Sequence, residues 1–248
     1  MQSPQRPHPQ CGSHIGLMSG VVIDRLEQRV RDALAKHSLY EAEQLANTLN
    51  ARLVASQQLD RAQSLLGAFA LDFASAGAMT PACKLGLLLV QGWKKHSVPC
   101  TEERIAVVLS ILRVCSDEAK TSKTNLGREA LQWSSKSRSR GHPLLHLELA
   151  RMFARVGEFE SAQNHFLFAE VPEEHAKMLV EWAGQGFRGE ADLFVVRCVL
   201  QYLALENLKS ANIVFRHFSA AYETLDSPLI NFGKFRMHFA FRDSDVAF

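Results

Sequence analysis

Apolar residues recur at three- and four-residue steps along almost the whole chain, and no stretch alternates apolar and polar with the period of two that a strand requires. The pattern is fullest from Glu129 to Phe168. His142 stands where a helix N-cap is needed, and Pro143 takes the first helical position, where its missing N–H costs nothing. Leu145, Leu149 and Phe153 then share one helix face. Gly157 breaks that helix, Phe159, Ala162, Phe166 and Ala169 restart the pattern on a second, antiparallel one, and Pro172 closes the unit.

The order of these features, a Gly turn, an aromatic residue, a small Ala at a close crossing, a second aromatic and a late Pro, is that of a tetratricopeptide-type hairpin. Further helices are predicted over Val22–His37, Leu39–Ser56, Leu59–Ala76, from Pro81 through Trp93, and over Thr101–Cys115, Ser122–Ser134, Pro172–Trp182, Glu190–Leu205 and Leu208–Leu225. An apolar residue three before an Ala recurs at Leu39 and Ala42, Leu59 and Ala62, Phe159 and Ala162, and Leu208 and Ala211, at irregular spacing. The predicted fold is all-α, a right-handed α-solenoid of antiparallel helix hairpins, tetratricopeptide-like.

Composition adds little to this picture and removes several alternatives. With 47% apolar and 22% charged residues the chain is a folded one, and its net charge of +2 gives no global field to attract nucleic acid or an acidic membrane. The longest apolar runs fall well short of the roughly 20 residues that span a bilayer. Five widely spaced cysteines without a C-x-x-C pair point to buried thiols in a reducing compartment. Residues 1–20 are expected to be a disordered tail, with Met18 as an alternative start, and residues 21–232 form the solenoid.

Little catalytic chemistry is legible. Gly184, Gly186 and Gly189 match G-x-G-x-x-G but follow a helix, so they predict a turn and not a dinucleotide site. His142 and His146 lack a third ligand, which favours capping and burial over metal. The run Lys136 to Arg140, KSRSR, reads as a solvated loop, with phosphoregulation or an acidic partner as the functional alternatives. No cofactor, metal or enzyme activity is expected. On the first helix Arg25, Arg29, Asp32 and Lys36 form a stripe beside the apolar arc, read either as a solvated face or as a docking surface.

The colinear series EALQWSS, GHPLLH, GEFESAQNHF, MLVEW, EADLFV, VLQYLAL and SANIVF, preceded by LYEAEQLANTLNARLV, resembles the Golgi-to-ER traffic protein 4 family over about Arg25 to Phe232. The resemblance implies a cytosolic, non-catalytic adaptor in the insertion of tail-anchored proteins into the ER. Such an adaptor bridges the targeting ATPase and a ubiquitin-like protein, with a BAG-family scaffold as a further partner. It also implies that basic residues on the first helices dock the ATPase. Arg25 fits that position best, and Arg29, Lys36 and Arg52 are nearby candidates from the chain's own pattern. A generic helical-repeat scaffold subunit, as in a coat or proteasome-lid assembly, is the alternative.

Two departures from the family pattern stand out. Ala55 and Lys84 occupy positions where some members carry a regulatory basic and an acidic residue. After SPLINF the chain gives GKFRMHFAFRDSDVAF, and Gly233, Lys234 and Phe235 can be encoded by a sequence containing a splice donor. Residues 233–248 are therefore expected to be an atypical, intron-derived tail, at the expense of the helices that grip the ubiquitin-like partner.

Overall fold

Helices α1 (Ser13–Ala35), α2 (Leu39–Ala55), α3 (Leu59–Ser75) and α4 (Met79–Lys95) follow one another through three-residue turns in the computed structural model, which describes residues 13–222 and 227–245. Each turn is made in the same way. One residue takes a positive φ (His37, Gln57, Gly77 and, after α4, Ser97, at steps of 20 residues), and the next N–H reaches back to the carbonyl five residues earlier. Ser38 thus bonds Ala33, Gln58 bonds Leu53, Ala78 bonds Phe73 and Val98 bonds Trp93, all at 2.9 Å. This is the Schellman closure, which satisfies carbonyls that a helix end leaves without partners. Gly157 and Glu206 repeat it further along.

Three residues into each following helix stands the small residue of the crossing. Ala42, Ala62, Ala82, Ala162 and Ala211 are all at most 2% exposed. The first three lie at equal 20-residue steps, so the spacing is regular here, contrary to the sequence expectation. The copy that the pattern hid is Met79 with Ala82, because Pro81 suggested a later helix start. Pro81 instead occupies the first turn of α4, where an N–H has no intrahelical acceptor to lose.

The chain continues as α5 (Glu102–Val114), a 3₁₀ turn (Asp117–Ala119), α6 (Lys120–Ser134), α7 (Pro143–Arg155), α8 (Phe159–Phe166) and α9 (Pro172–Gln185). A second 3₁₀ turn (Arg188–Glu190), α10 (Ala191–Ala204), α11 (Leu208–Ala221) and α12 (Pro228–Asp245) complete it. His142 caps α7 as expected, its Nδ1 accepting from the Leu144 N–H at 3.3 Å. Helix α1 begins nine residues before the predicted Val22, and α12 runs continuously across the boundary expected after Phe232. Pro172 opens α9 as expected, and that helix runs three residues past the predicted Trp182. No strand occurs among the described residues.

Successive helices pack as antiparallel pairs, and helices two apart stack in two layers. Helices α3, α5 and α7, then α9 and α11, lie side by side on one layer, and α4 and α6, then α10 and α12, on the other. This is an α-solenoid built of helix hairpins. Polar pairs link neighbouring hairpins, at offsets of 35 to 38 residues in three cases and 23 in the fourth. Arg113 meets Glu148 at 2.7 Å, Arg151 meets Glu174 at 2.7 Å and Arg155 meets Asp117 at 2.7 Å, while Lys120 reaches Glu158. The apolar interior forms two clusters, one from Ile23 to Leu145 and one from Leu147 to Met237, with Leu131 packed against both. Trp133 seals the first. Its ring lies 4.8 Å from that of Trp93, and its indole N–H donates to the Val98 carbonyl at 3.0 Å.

Candidate docking site

Helix α1 is divided lengthwise into three stripes, as its 100° advance per residue dictates. Ile23, Leu26, Val30 and Ala33 are buried. On one flank Asp24 and Glu27 accept from Arg61 of α3 at 2.5 and 2.9 Å, and Glu27 also holds Arg31 at 2.7 Å. These acids are occupied in tying the first hairpin to the second. On the other flank Arg25, Arg29 and Lys36, at intervals of four and seven residues, lie within a narrow arc and are exposed.

Of these cations only Arg29 makes an ion pair among the described residues. It approaches Glu41 of α2 at 3.9 Å, with both side chains about 60% exposed, so the contact is weak and solvent-screened. Arg25 and Lys36 form no ion pair among the described residues. Gln28 shields the stripe's one acid, Asp32, by donating to it at 2.8 Å.

Arg52 lies in the last turn of α2, exposed, where the helix carbonyls favour a cation. Antiparallel pairing returns it toward the start of the α1 stripe, about 20 Å along α2 from the turn. The structure therefore puts Arg25, Arg29 and Lys36 on one flank and adds Arg52 from the neighbouring helix at the opposite end from Lys36. Ala55 ends α2, and Lys84 is engaged with Glu43 at 3.1 Å.

Next to Ala51 and Val54 of α2 lies a groove that no sequence feature announces. Helices α2 and α4 are bridged near their N-terminal ends by Lys84 and Glu43, and toward their C-terminal ends they part over α3. The opening, about 430 Å³, is lined by Val54, Leu66, Leu88 and Leu89, with Lys95 and His96 at its rim. No motif signals it, because its lining residues come from three helices and look in sequence like ordinary core positions.

The remaining sequence candidates are placed apart from this face. His142 and His146 do not face each other: His142 Nε2 lies 3.2 Å from Glu102, whereas His146 is buried against His165. Gly184 belongs to the last turn of α9, and Gly186 and Gly189 lead into a 3₁₀ turn, so no strand-to-helix phosphate cradle exists there. Cys83, Cys115 and Cys198 are buried and Cys100 is partly buried, all unpaired in disulfides, and Cys11 lies outside the described residues. No described helix is long and apolar enough to cross a membrane.

The sequence model of the family described as Golgi to ER traffic protein 4 matches residues 56–248. The Golgi to ER traffic protein 4 homologues of Xenopus tropicalis and Homo sapiens are each 31% identical to this chain over 218 residues, covering 85% of it and 67% and 66% of their own lengths. The solved structure of C. therm. Get4 superposes with a TM-score of 0.75 at 25% identity, over 85% of this chain and 75% of that one. Sequence similarity and a shared hairpin-solenoid fold thus agree, and this chain belongs to the Golgi to ER traffic protein 4 family.

Proposed function

We propose that this chain is a cytosolic, non-catalytic adaptor in the delivery of tail-anchored membrane proteins to the ER, and that the targeting ATPase docks on the flank of α1 and α2 that carries Arg25, Arg29, Lys36 and Arg52. The observation that supports this reading is the division of α1. Asp24 and Glu27 are engaged by Arg61 on one flank, while Arg25, Arg29 and Lys36 face solvent on the other with one weak ion pair among them. Such a one-sided cationic strip speeds and orients encounter with an acidic partner surface more than it adds affinity. The ubiquitin-like adaptor and a BAG-family scaffold are further partners in this reading.

The test is calorimetric titration of the full chain with the pathway ATPase at two ionic strengths. Arg25→Glu combined with Arg29→Glu is expected to weaken binding by at least about tenfold and to flatten its salt dependence. Unchanged affinity in that double variant rejects this surface.

A further inference from the structure

The loop joining α6 to α7 takes no part in the docking flank, yet its sequence, Lys136-Ser137-Arg138-Ser139-Arg140, alternates three cations with two serines. All five residues are exposed and outside any helix. Both ends of the loop are fixed. Ser137 and Arg138 donate backbone N–H groups to the Ser134 carbonyl at 3.0 and 3.1 Å. At the far end Gly141, at φ +86°, donates to the Arg138 carbonyl at 2.8 Å. His146 Nε2 donates to the Arg140 carbonyl at 2.8 Å, and the Arg140 guanidinium lies 5.3 Å over the Phe168 ring. Lys136 and Arg138 make no ion pair among the described residues.

A serine/threonine kinase that selects basic residues ahead of its target must admit the hydroxyl and its flanking residues together into a cleft. Helical or buried segments cannot be admitted without melting. Five described serines carry Lys or Arg three positions earlier: Ser64, Ser97, Ser116, Ser139 and Ser219. Ser64 lies within α3 and Ser219 within α11. Ser97 follows directly on the last turn of α4, which contains Lys94 and Lys95, and Lys94 is held by Glu129. The Ser116 hydroxyl is buried. Ser139 is left as the serine whose basic residues, Lys136 and Arg138, and following Arg140 all stand in exposed loop.

We propose that Ser139 is a phosphorylation site for a basophilic serine/threonine kinase. In the transfer the Ser139 hydroxyl oxygen attacks the γ-phosphorus of ATP. The new O–P bond forms as the bond to the β,γ-bridging oxygen breaks, ADP leaves, and the hydroxyl proton passes to the catalytic aspartate of the kinase. The product carries about −1.5 to −2 charges beside Arg138 and Arg140, and lowers the loop from three positive charges to about one. A strongly basic loop thereby becomes a weakly basic one, with Arg140 drawn toward the phosphate and away from Phe168.

The full chain is incubated with Mg-ATP and the catalytic subunit of a cyclic-nucleotide-dependent kinase, and analysed by intact mass and fragment-ion sequencing. One phosphate on Ser139 is expected, absent from Ser139→Ala. Lys136→Ala with Arg138→Ala is expected to slow the modification about tenfold while leaving the thermal unfolding curve in place. Absence of phosphate from Ser139 in the folded chain, whether or not a peptide of residues 132–144 accepts it, overturns the proposal, as does a rate unaffected by the double substitution.

Discussion

His146 and His165 meet nitrogen to nitrogen, Nδ1 to Nδ1, at 3.0 Å. Only one arrangement of protons fits. His146 Nε2 faces the Arg140 carbonyl at 2.8 Å and must donate to it, so a neutral His146 has a lone pair at Nδ1 and His165 supplies the proton between them. Burial, with the positive charge of His146 and Arg128 as lesser causes, holds His165 down at about 4, and burial also lowers His146. Burial alone takes His175, bonded to the Tyr202 hydroxyl at 2.9 Å, down to about 3.

These depressed values make the fold acid-sensitive. Unfolded histidines bind protons below about 6.5, and the folded ones resist them, so the unfolded state gains protons first and stability falls as pH falls from about 6.5 toward 4. Above that window the groups contribute no slope. His165 alone accounts for roughly 3 kcal/mol across it. Urea unfolding between pH 8 and 4 is expected to show this loss. His165→Phe, which preserves the stacking on Phe153, is expected to cost about 1–3 kcal/mol at pH 8 through the orphaned His146 nitrogen and to reduce the slope below pH 6.5. A slope equal to that of the parent chain refutes the assignment.

The turns give a second prediction, on backbone strain. Gln57 and Ser97 occupy positive φ with side chains, whereas Gly77 and Gly157 do so without one. A left-handed conformation costs a non-glycine residue about 1–2 kcal/mol. Gln57→Gly and Ser97→Gly are each expected to stabilise by about 1 kcal/mol or slightly less, because glycine also loosens the unfolded chain. Gly77→Ala is expected to destabilise by a similar amount, and for conformational reasons alone, since an added Cβ there meets nothing within 4 Å. Midpoints of denaturant unfolding at constant slope check all three.

Those same turns explain how far the fold could be read from the chain. The hairpin with Gly157 was legible because the residue at positive φ was a glycine, and the capped start at His142 and Pro143 because capping is local chemistry. The 20-residue period of the first helices was obscured because His37, Gln57 and Ser97 stand where glycine would have marked it, and Pro81 masked the start of α4. The proposed docking flank was half legible. Helical spacing placed Arg25, Arg29 and Lys36 together, but the role of Asp24 and Glu27 depends on Arg61, some 35 residues away, and no local pattern carries that pairing.

Glu41 offers a test of the flank that removes no cation. It is the acid facing the stripe from α2, and an exposed pair at 3.9 Å adds at most about 1 kcal/mol of stability. Glu41→Ala is expected to leave unfolding within about 0.5 kcal/mol of the parent and to strengthen and speed association with an acidic partner surface at low salt, the gain vanishing at high salt. Stopped-flow association rates at two ionic strengths measure it. A slower or unchanged rate at low salt counts against Arg29 as part of the docking surface.

The close crossing of α6 on α7 rests on Gly127 and Leu149. A Cβ added at Gly127 would fall 2.6, 2.8 and 2.9 Å from the two Cδ atoms and the Cγ of Leu149, which is 2% exposed. The Cγ cannot be displaced by a rotamer change at the end of the chain alone, so the helices must part or Leu149 must leave its seat. Gly127→Ala is expected to destabilise by about 1–3 kcal/mol despite the better helix propensity of Ala. Leu149→Ala alone opens a cavity and is expected to cost about 2–5 kcal/mol. If the clash is the cause, the double variant loses less than the sum of the two, because the added methyl enters the space that the leucine vacates. Simple additivity in urea unfolding would mean that the crossing relaxes elsewhere, and that the junction between the two halves of the core does not depend on this glycine.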